Sequence, residues 1–173
     1  MRFPATGDSS AHAAEFAAQL PRKIARLNID RANLKKVIAT FGQPLKYIWG
    51  PTTLPPDELP RRFIAVYPGR FHVFMVDDRI VELRHERGSK YVFANKLRVG
   101  STLEEALAVL GQPTKTVVGE EIDWHNAENV LFKDIDGRKG HCYYHRADQN
   151  VRIWFSNDRV VAIYMTRSDF PTH

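Results

Sequence analysis

The feature that most constrains this chain is a stretch that occurs twice. Val99 to Pro113 reads as a helix with both ends marked. Ser101 can serve as N-cap, with Glu104 three residues on to complete a capping box. Leu103, Leu107 and Leu110 fall on one helical face beside Ala106. Gly111 can take the left-handed conformation that ends a helix, and Pro113 forbids a restart. A weaker copy starts with Asp30 as cap and runs through Leu34, Val37, Ile38 and Phe41 to Gly42-Gln43-Pro44. At one fixed offset Leu34, Ala39, Gly42, Gln43, Pro44, Lys46 and Gly50 match Leu103, Ala108, Gly111, Gln112, Pro113, Lys115 and Gly119. The chain is expected to be a tandem repeat.

The strands after each helix repeat too. Lys46 to Trp49 reads as a short strand, and Gly50 to Pro60, with Pro51, Pro55, Pro56 and Pro60, as an irregular loop. Arg62 to Tyr67, Phe71 to Val76 and Arg79 to His85 form an antiparallel meander, turning at Pro68-Gly69 and Asp77-Asp78. Tyr91 to Ala94 is a further strand crossing to the second unit. There Lys115 to Val118, Val130 to Phe132, His141 to His145, Val151 to Phe155 and Arg159 to Met165 are strands, with a turn at Asp134 to Gly140. Phe71, Val73, Met75, Asp78, Arg79, Val81 and Leu83 align with Val151, Ile153, Phe155, Asp158, Arg159, Val161 and Ile163 at a larger offset, which implies an insertion near Gly137. Ahead of both units, Asp8 or Ser9 can cap a short Ala-rich helix that docks through Phe16 and Leu20 and stops at Pro21.

The fold class is therefore α+β: two tandem helix-plus-antiparallel-meander repeats in a two-layer α/β sandwich. The organisation is an arm at 1–24, unit one at 25–90 and unit two at 91–173, folded as a single structural unit. Strand alternation assigns Phe71, Val73, Met75, Val81 and Leu83, and Val151, Ile153, Phe155, Val161, Ile163 and Met165, to the face beneath the helices. The other face holds His72, Phe74, Ile80, Glu82 and Arg84, and Arg152, Trp154, Val160, Ala162 and Tyr164. One helix layer covers one face of a sheet and leaves the other open unless something else lies on it. Aromatics interspersed with Arg are the composition of an interface centre, so Phe74, Arg84, Arg152, Trp154 and Tyr164 are the candidate partner-binding residues. The alternative is that the arm or the Pro-rich loop covers this face, or that the two sheets pack face to face.

A net charge of +5 with pI near 9.4 is moderately basic. Arg22, Lys23, Arg26, Arg31, Lys35 and Lys36 cluster without aromatic residues between them, which argues against nucleic acid as partner. The single Cys142 excludes an internal disulfide. No apolar run is long enough to span a membrane or serve as a signal segment, so the chain as given reads as cytoplasmic. A signal segment removed before Met1 would make it secreted or periplasmic.

The capped helix ending in Leu-Gly-Gln-Pro and followed by strands resembles the small outer-membrane assembly lipoproteins of the SmpA/OmlA type. The tandem arrangement is similar to the β-lactamase inhibitor proteins, which carry two such units. The resemblance covers about Ile29 to Thr166. It implies protein binding, as a scaffold or an inhibitor, through a concave sheet surface. There is no lipid-anchoring cysteine, and the inhibitor proteins' disulfides cannot form here.

The chemistry-bearing residues are sparse. His141, Tyr143 and His145 share one side of a strand, with Cys142 and Tyr144 on the other. Two His on one face could hold zinc with His125 or His85 as third ligand, and Cys142 beside a His could be a nucleophile. Asp134-Ile135-Asp136-Gly137 lacks the acidic residue that closes a calcium loop, since His145 stands there. Glu120, Glu121 and Asp123 form no recognisable pair, and Gly100-Ser101 is more simply a cap than an anion site. No metal or cofactor is expected. The residues favour a non-catalytic protein-interaction module with Phe74, Trp154 and Tyr164 exposed. The alternative is a metal- or cysteine-dependent hydrolase using His141, Cys142 and His145.

Overall fold

The computed structural model describes residues 6–93, 96–113, 115–118, 141–144 and 150–167, with backbone alone at 6–10, 115–118 and 141–144. The architecture is mixed α+β. Among these residues no helix is long and apolar enough to cross a membrane.

Helix α1 spans Thr6–Arg26 and runs straight through Pro21, where the sequence predicts a stop. The apolar stripe explains the difference. Phe16, Leu20, Ile24 and Leu27 recur at helical spacing on both sides of the proline, and all pack against the core. An interior proline costs about 3 kcal/mol, which burying this stripe offsets, while Pro21 itself sits on the exposed side. The Phe16 ring stacks on Tyr67 at 5.7 Å. The helix approaches the turn at Gly69 so closely that a side chain there would meet the Ala13 carbonyl and Ala17.

Helices α2 (Leu34–Phe41) and α3 (Leu103–Leu110) are built alike. Asn33, not Asp30, caps α2, its Oδ1 accepting the Lys36 N–H at 2.9 Å. Thr102 and Glu105 form the capping box of α3, one residue beyond Ser101 and Glu104. Ser101 is otherwise engaged, since its Oγ accepts the Arg98 N–H at 3.1 Å. Both helices end at glycines of positive φ, Gly42 and Gly111, whose N–H groups donate to Ile38 and Leu107 carbonyls at 2.8 Å.

Nine strands form one sheet: β1 (Lys46–Trp49), β2 (Thr52–Leu54), β3 (Arg62–Tyr67), β4 (Phe71–Val76), β5 (Arg79–His85), β8 (Lys115–Val118), β9 (His141–Tyr144), β10 (Val151–Ser156) and β11 (Arg159–Thr166). A separate hairpin pairs β6 (Val92–Phe93) with β7 (Leu97–Arg98) instead of continuing into the sheet. Part of the Pro-rich loop is thus ordered as β2, an edge strand kept to three residues between Pro51 and Pro55. The sheet order is β2-β1-β3-β4-β5-β11-β10-β9-β8, with every pairing antiparallel. The strand expected at Val130 to Phe132 and the turn at Asp134 to Gly140 lie outside the described residues.

The two halves meet at the β5–β11 seam and match step for step. Phe71↔His85 and Val73↔Leu83 have their counterparts in Val151↔Met165 and Ile153↔Ile163. Each hairpin carries a bulge at the same place, between Phe74 and Met75 and between Trp154 and Phe155. Each turns on two residues of positive φ, Asp77-Asp78 and Asn157-Asp158, as a two-residue hairpin of matching twist requires. Each turn holds a helix start: Asp78 Oδ1 accepts the Leu34 N–H at 3.0 Å, and the Asp158 carbonyl accepts the Leu103 N–H at 2.9 Å. Arg84 faces Tyr164 across the seam, and the two positions correspond in the two halves.

The bulges also correct the face assignment. An extra residue in a strand reverses the alternation beyond it. Ile80 and Val160, not Val81 and Val161, enter the core under the helices, and Val81 packs with Ile64 and Phe74 on the opposite face.

Candidate functional site

The second face of the sheet carries a cluster of ionisable side chains at the seam. Alternation along β5 sets Glu82 and Arg84 on this face, with His72 from β4 and Arg152 from β10 beside them. Tyr164 and Thr166 come from β11, and Glu86 from just past the end of β5. Arg84 donates from Nη2 to Glu82 Oε1 at 2.7 Å and from Nε to the same oxygen at 3.2 Å. Arg152 Nη1 lies 3.6 Å from Glu82 Oε2, and Thr166 Oγ1 donates to that oxygen at 3.4 Å. Tyr164 donates its hydroxyl proton to Glu86 Oε1 at 2.8 Å, and His72 Nδ1 lies 3.9 Å from that oxygen.

Burial divides the two carboxylates. Desolvation opposes the charge on Glu82, but Arg152, Arg84 and the hydrogen bonds outweigh it, and its carboxyl is held below the usual range. Glu86 has weaker support, and burial pushes its carboxyl up to about 7. Burial, aided by the charge on Arg84, pushes His72 down to about 3, so its ring is neutral. The attraction of Glu82 outweighs the burial of Arg84 and holds its guanidinium charged. The Tyr164 hydroxyl is driven well above its ordinary value by burial and stays protonated. Among the described groups the cluster is therefore an ion pair with an added arginine, beside a carboxyl poised near neutrality.

The poise of Glu86 has a measurable sign. A carboxyl raised above its unfolded value of 4.5 contributes stability that is fully present below that value and is lost as pH rises through about 7. The displacement corresponds to about 3 kcal/mol. Glu86→Gln keeps an acceptor for Tyr164 and removes the titration. In urea unfolding at pH 5 and pH 9, the parent is expected to lose about 3 kcal/mol more than the variant across that interval. Equal losses would mean that Glu86 is ionised throughout.

The five residues expected to form an exposed patch do come together, but not as a surface. The Arg84 guanidinium lies 4.6 Å from the Phe74 ring centre and 4.8 Å from that of Tyr164. Trp154 meets Tyr164 edge-on at 6.0 Å, and Arg152 lies over Trp154 at 6.0 Å. Trp49 stacks on Phe74 from its outer side. Exposure is 1% at Phe74, 4% at Trp154 and 0% at Tyr164, which corrects the expectation that these three are exposed. Mutual cover contributes to this, because planar groups packed on one another have less surface left for water. Arg152 alone keeps some access, at 15% of its side chain.

The accessible apolar part of this face lies further out, over β1, β3 and β4. Ile48, Trp49, Val66 and Val76 are half-buried there around Ile64, Phe74 and Val81. Sequence reasoning missed this patch because Lys46 to Trp49 shows no polar–apolar alternation. It also missed Glu86, which falls beyond the strand that orients it.

His141 and Cys142 are in β9, and their side chains, with His125, His145, Glu120, Glu121 and Asp123, lie outside the described residues. His85, the alternative third ligand, is stacked in the core under the helices, against Tyr91 at 3.8 Å and Phe71 at 5.2 Å. No three His, Cys, Asp or Glu side chains among the described residues are grouped to hold a metal ion. No protein-family model, curated protein or solved structure matches this chain.

Proposed function

We propose that this chain is a non-catalytic protein-binding module, scaffold- or inhibitor-like, made of two SmpA/OmlA-like helix-plus-meander units. The partner sits on the outer part of the second sheet face, over β1, β3 and β4. The observation that carries this reading is the half-buried apolar patch of Ile48, Trp49, Val66 and Val76, rimmed by exposed Lys46 and Arg62. An apolar centre holding Trp, with a charged rim, is the anatomy of an interface. The matching registers, bulges and turns of the two halves support the tandem arrangement. The ionisable cluster supports a non-catalytic role, because Glu82 and Arg84 are buried and paired with each other, and buried Tyr164 donates to Glu86.

The test is a pull-down from source-cell extract with the intact chain and with Val66→Asp, after circular dichroism has shown the variant to be folded. A protein captured by the intact chain and reduced at least about tenfold by the variant is expected, since a buried unpaired charge at an interface costs several kcal/mol. Equal capture by both, or capture by neither, would overturn the reading.

A further inference from the structure

A cleft of about 520 Å³ opens on the helix layer, between α3 and the β6–β7 hairpin. Its origin lies in the pairing. Among the described residues the hairpin's two strands pair with each other, through Val92↔Arg98 and Phe93↔Leu97, and with no strand of the nine-stranded sheet. Buried Leu97 anchors it, and Ser101 ties it to the start of α3 through the Arg98 N–H and carbonyl. The space left is lined on the apolar side by Val92, Leu97, Ala108 and Val109. Val92 is 47% exposed, one of only two large apolar side chains left exposed among the described residues.

The polar side of the cleft is basic. Lys96, just ahead of β7, and Arg98 flank Leu97 in sequence, both are exposed, and neither has an ion-pair partner among the described residues. Lys96 holds φ at +72°, a conformation that glycine or asparagine adopts at less cost. The one acid on the lining, Glu105, is committed to the capping box, where its carboxylate accepts the Thr102 N–H at 3.0 Å beside the positive end of α3. The cleft thus brings four apolar side chains together with two cations, in a volume within the roughly 300–1,000 Å³ range of small-ligand sites.

We propose that this cleft binds a single-chain alkyl carboxylate, its chain on Val92, Ala108 and Val109 and its head against Lys96 and Arg98. The site is independent of the protein-binding surface, which lies on the other layer.

The test is calorimetric titration of the full chain with decanoate below its micelle concentration, with decyltrimethylammonium and acetate as probes of tail and head alone. Saturable one-site binding of decanoate is expected, with the cationic amphiphile and acetate each at least about tenfold weaker. Val92→Asp and the pair Lys96→Glu/Arg98→Glu are each expected to weaken decanoate about tenfold or more. The charge-reversed pair lies at exposed positions and decides the matter if Val92→Asp fails to fold. Absence of saturable decanoate binding, equal affinity for decyltrimethylammonium, or undiminished binding by the folded charge-reversed variant would each overturn the proposal.

Discussion

Arg84→Met is expected to lower the unfolding free energy by about 3–5 kcal/mol, and adding Glu82→Met to recover more than half of that loss. Arg84 is one of the largest fully buried side chains, and it stands opposite Tyr164 where the two halves of the sheet join. Its removal leaves Glu82, 2% exposed, with Arg152 at 3.6 Å and Thr166 at 3.4 Å as its remaining side-chain partners among the described residues. A buried carboxylate stripped of its closest counter-charge is costly, because desolvation is then uncompensated. Replacing both partners with apolar side chains removes the charge and its desolvation together. The stacking of the guanidinium between Phe74 and Tyr164 is lost in either case, so recovery is partial. Urea unfolding of the two single variants and the double variant closes the cycle. A double variant less stable than Arg84→Met would show that Glu82 stabilises the seam without the arginine.

The seam is where sequence and structure part. Helices α2 and α3, the three strands from Arg62 to His85 and the final hairpin come from local rules: capping residues, a terminal glycine, alternation and paired turn residues. Three other features depend on tertiary context. Pro21 reads as a helix stop, but the stripe from Phe16 to Leu27 outweighs it. The alternation in Arg79 to His85 places Val81 in the core, but the bulge opposite Phe74 puts Ile80 there instead. Glu82 and Arg84, on either side of Leu83, read as part of an open sheet face, yet both are buried, as is Glu86. A buried charged cluster of this kind has no sequence signature distinguishing it from exposed charge, because its partners arrive from β10 and β11, far along the chain.

His85→Phe is expected to stabilise the protein, and far more in acid than near neutrality. His85 is fully buried between Tyr91 and Phe71, and neither ring nitrogen has a hydrogen-bond partner among the described residues. Burial pushes its ring down to about 3 from an ordinary 6.5. A depressed histidine contributes stability that is fully present above its unfolded value and is lost as pH falls from about 6.5 toward 3. Each pH unit within that window costs about 1.4 kcal/mol. Phe keeps the stacked ring and removes both the titration and the unsatisfied nitrogens. The gain is expected to be about 1 kcal/mol at pH 8, from the nitrogens alone, rising to about 3 kcal/mol at pH 5. His72 has the same depressed sense and remains in the variant, so some acid sensitivity persists. Chemical unfolding of parent and variant at the two pH values measures the difference. A gain that does not grow toward acid would mean that His85 is solvated or paired and takes up a proton without strain. In the other half the position of His85 is held by Met165, an apolar residue that cannot titrate, so the acid penalty of this core position belongs to the first half alone.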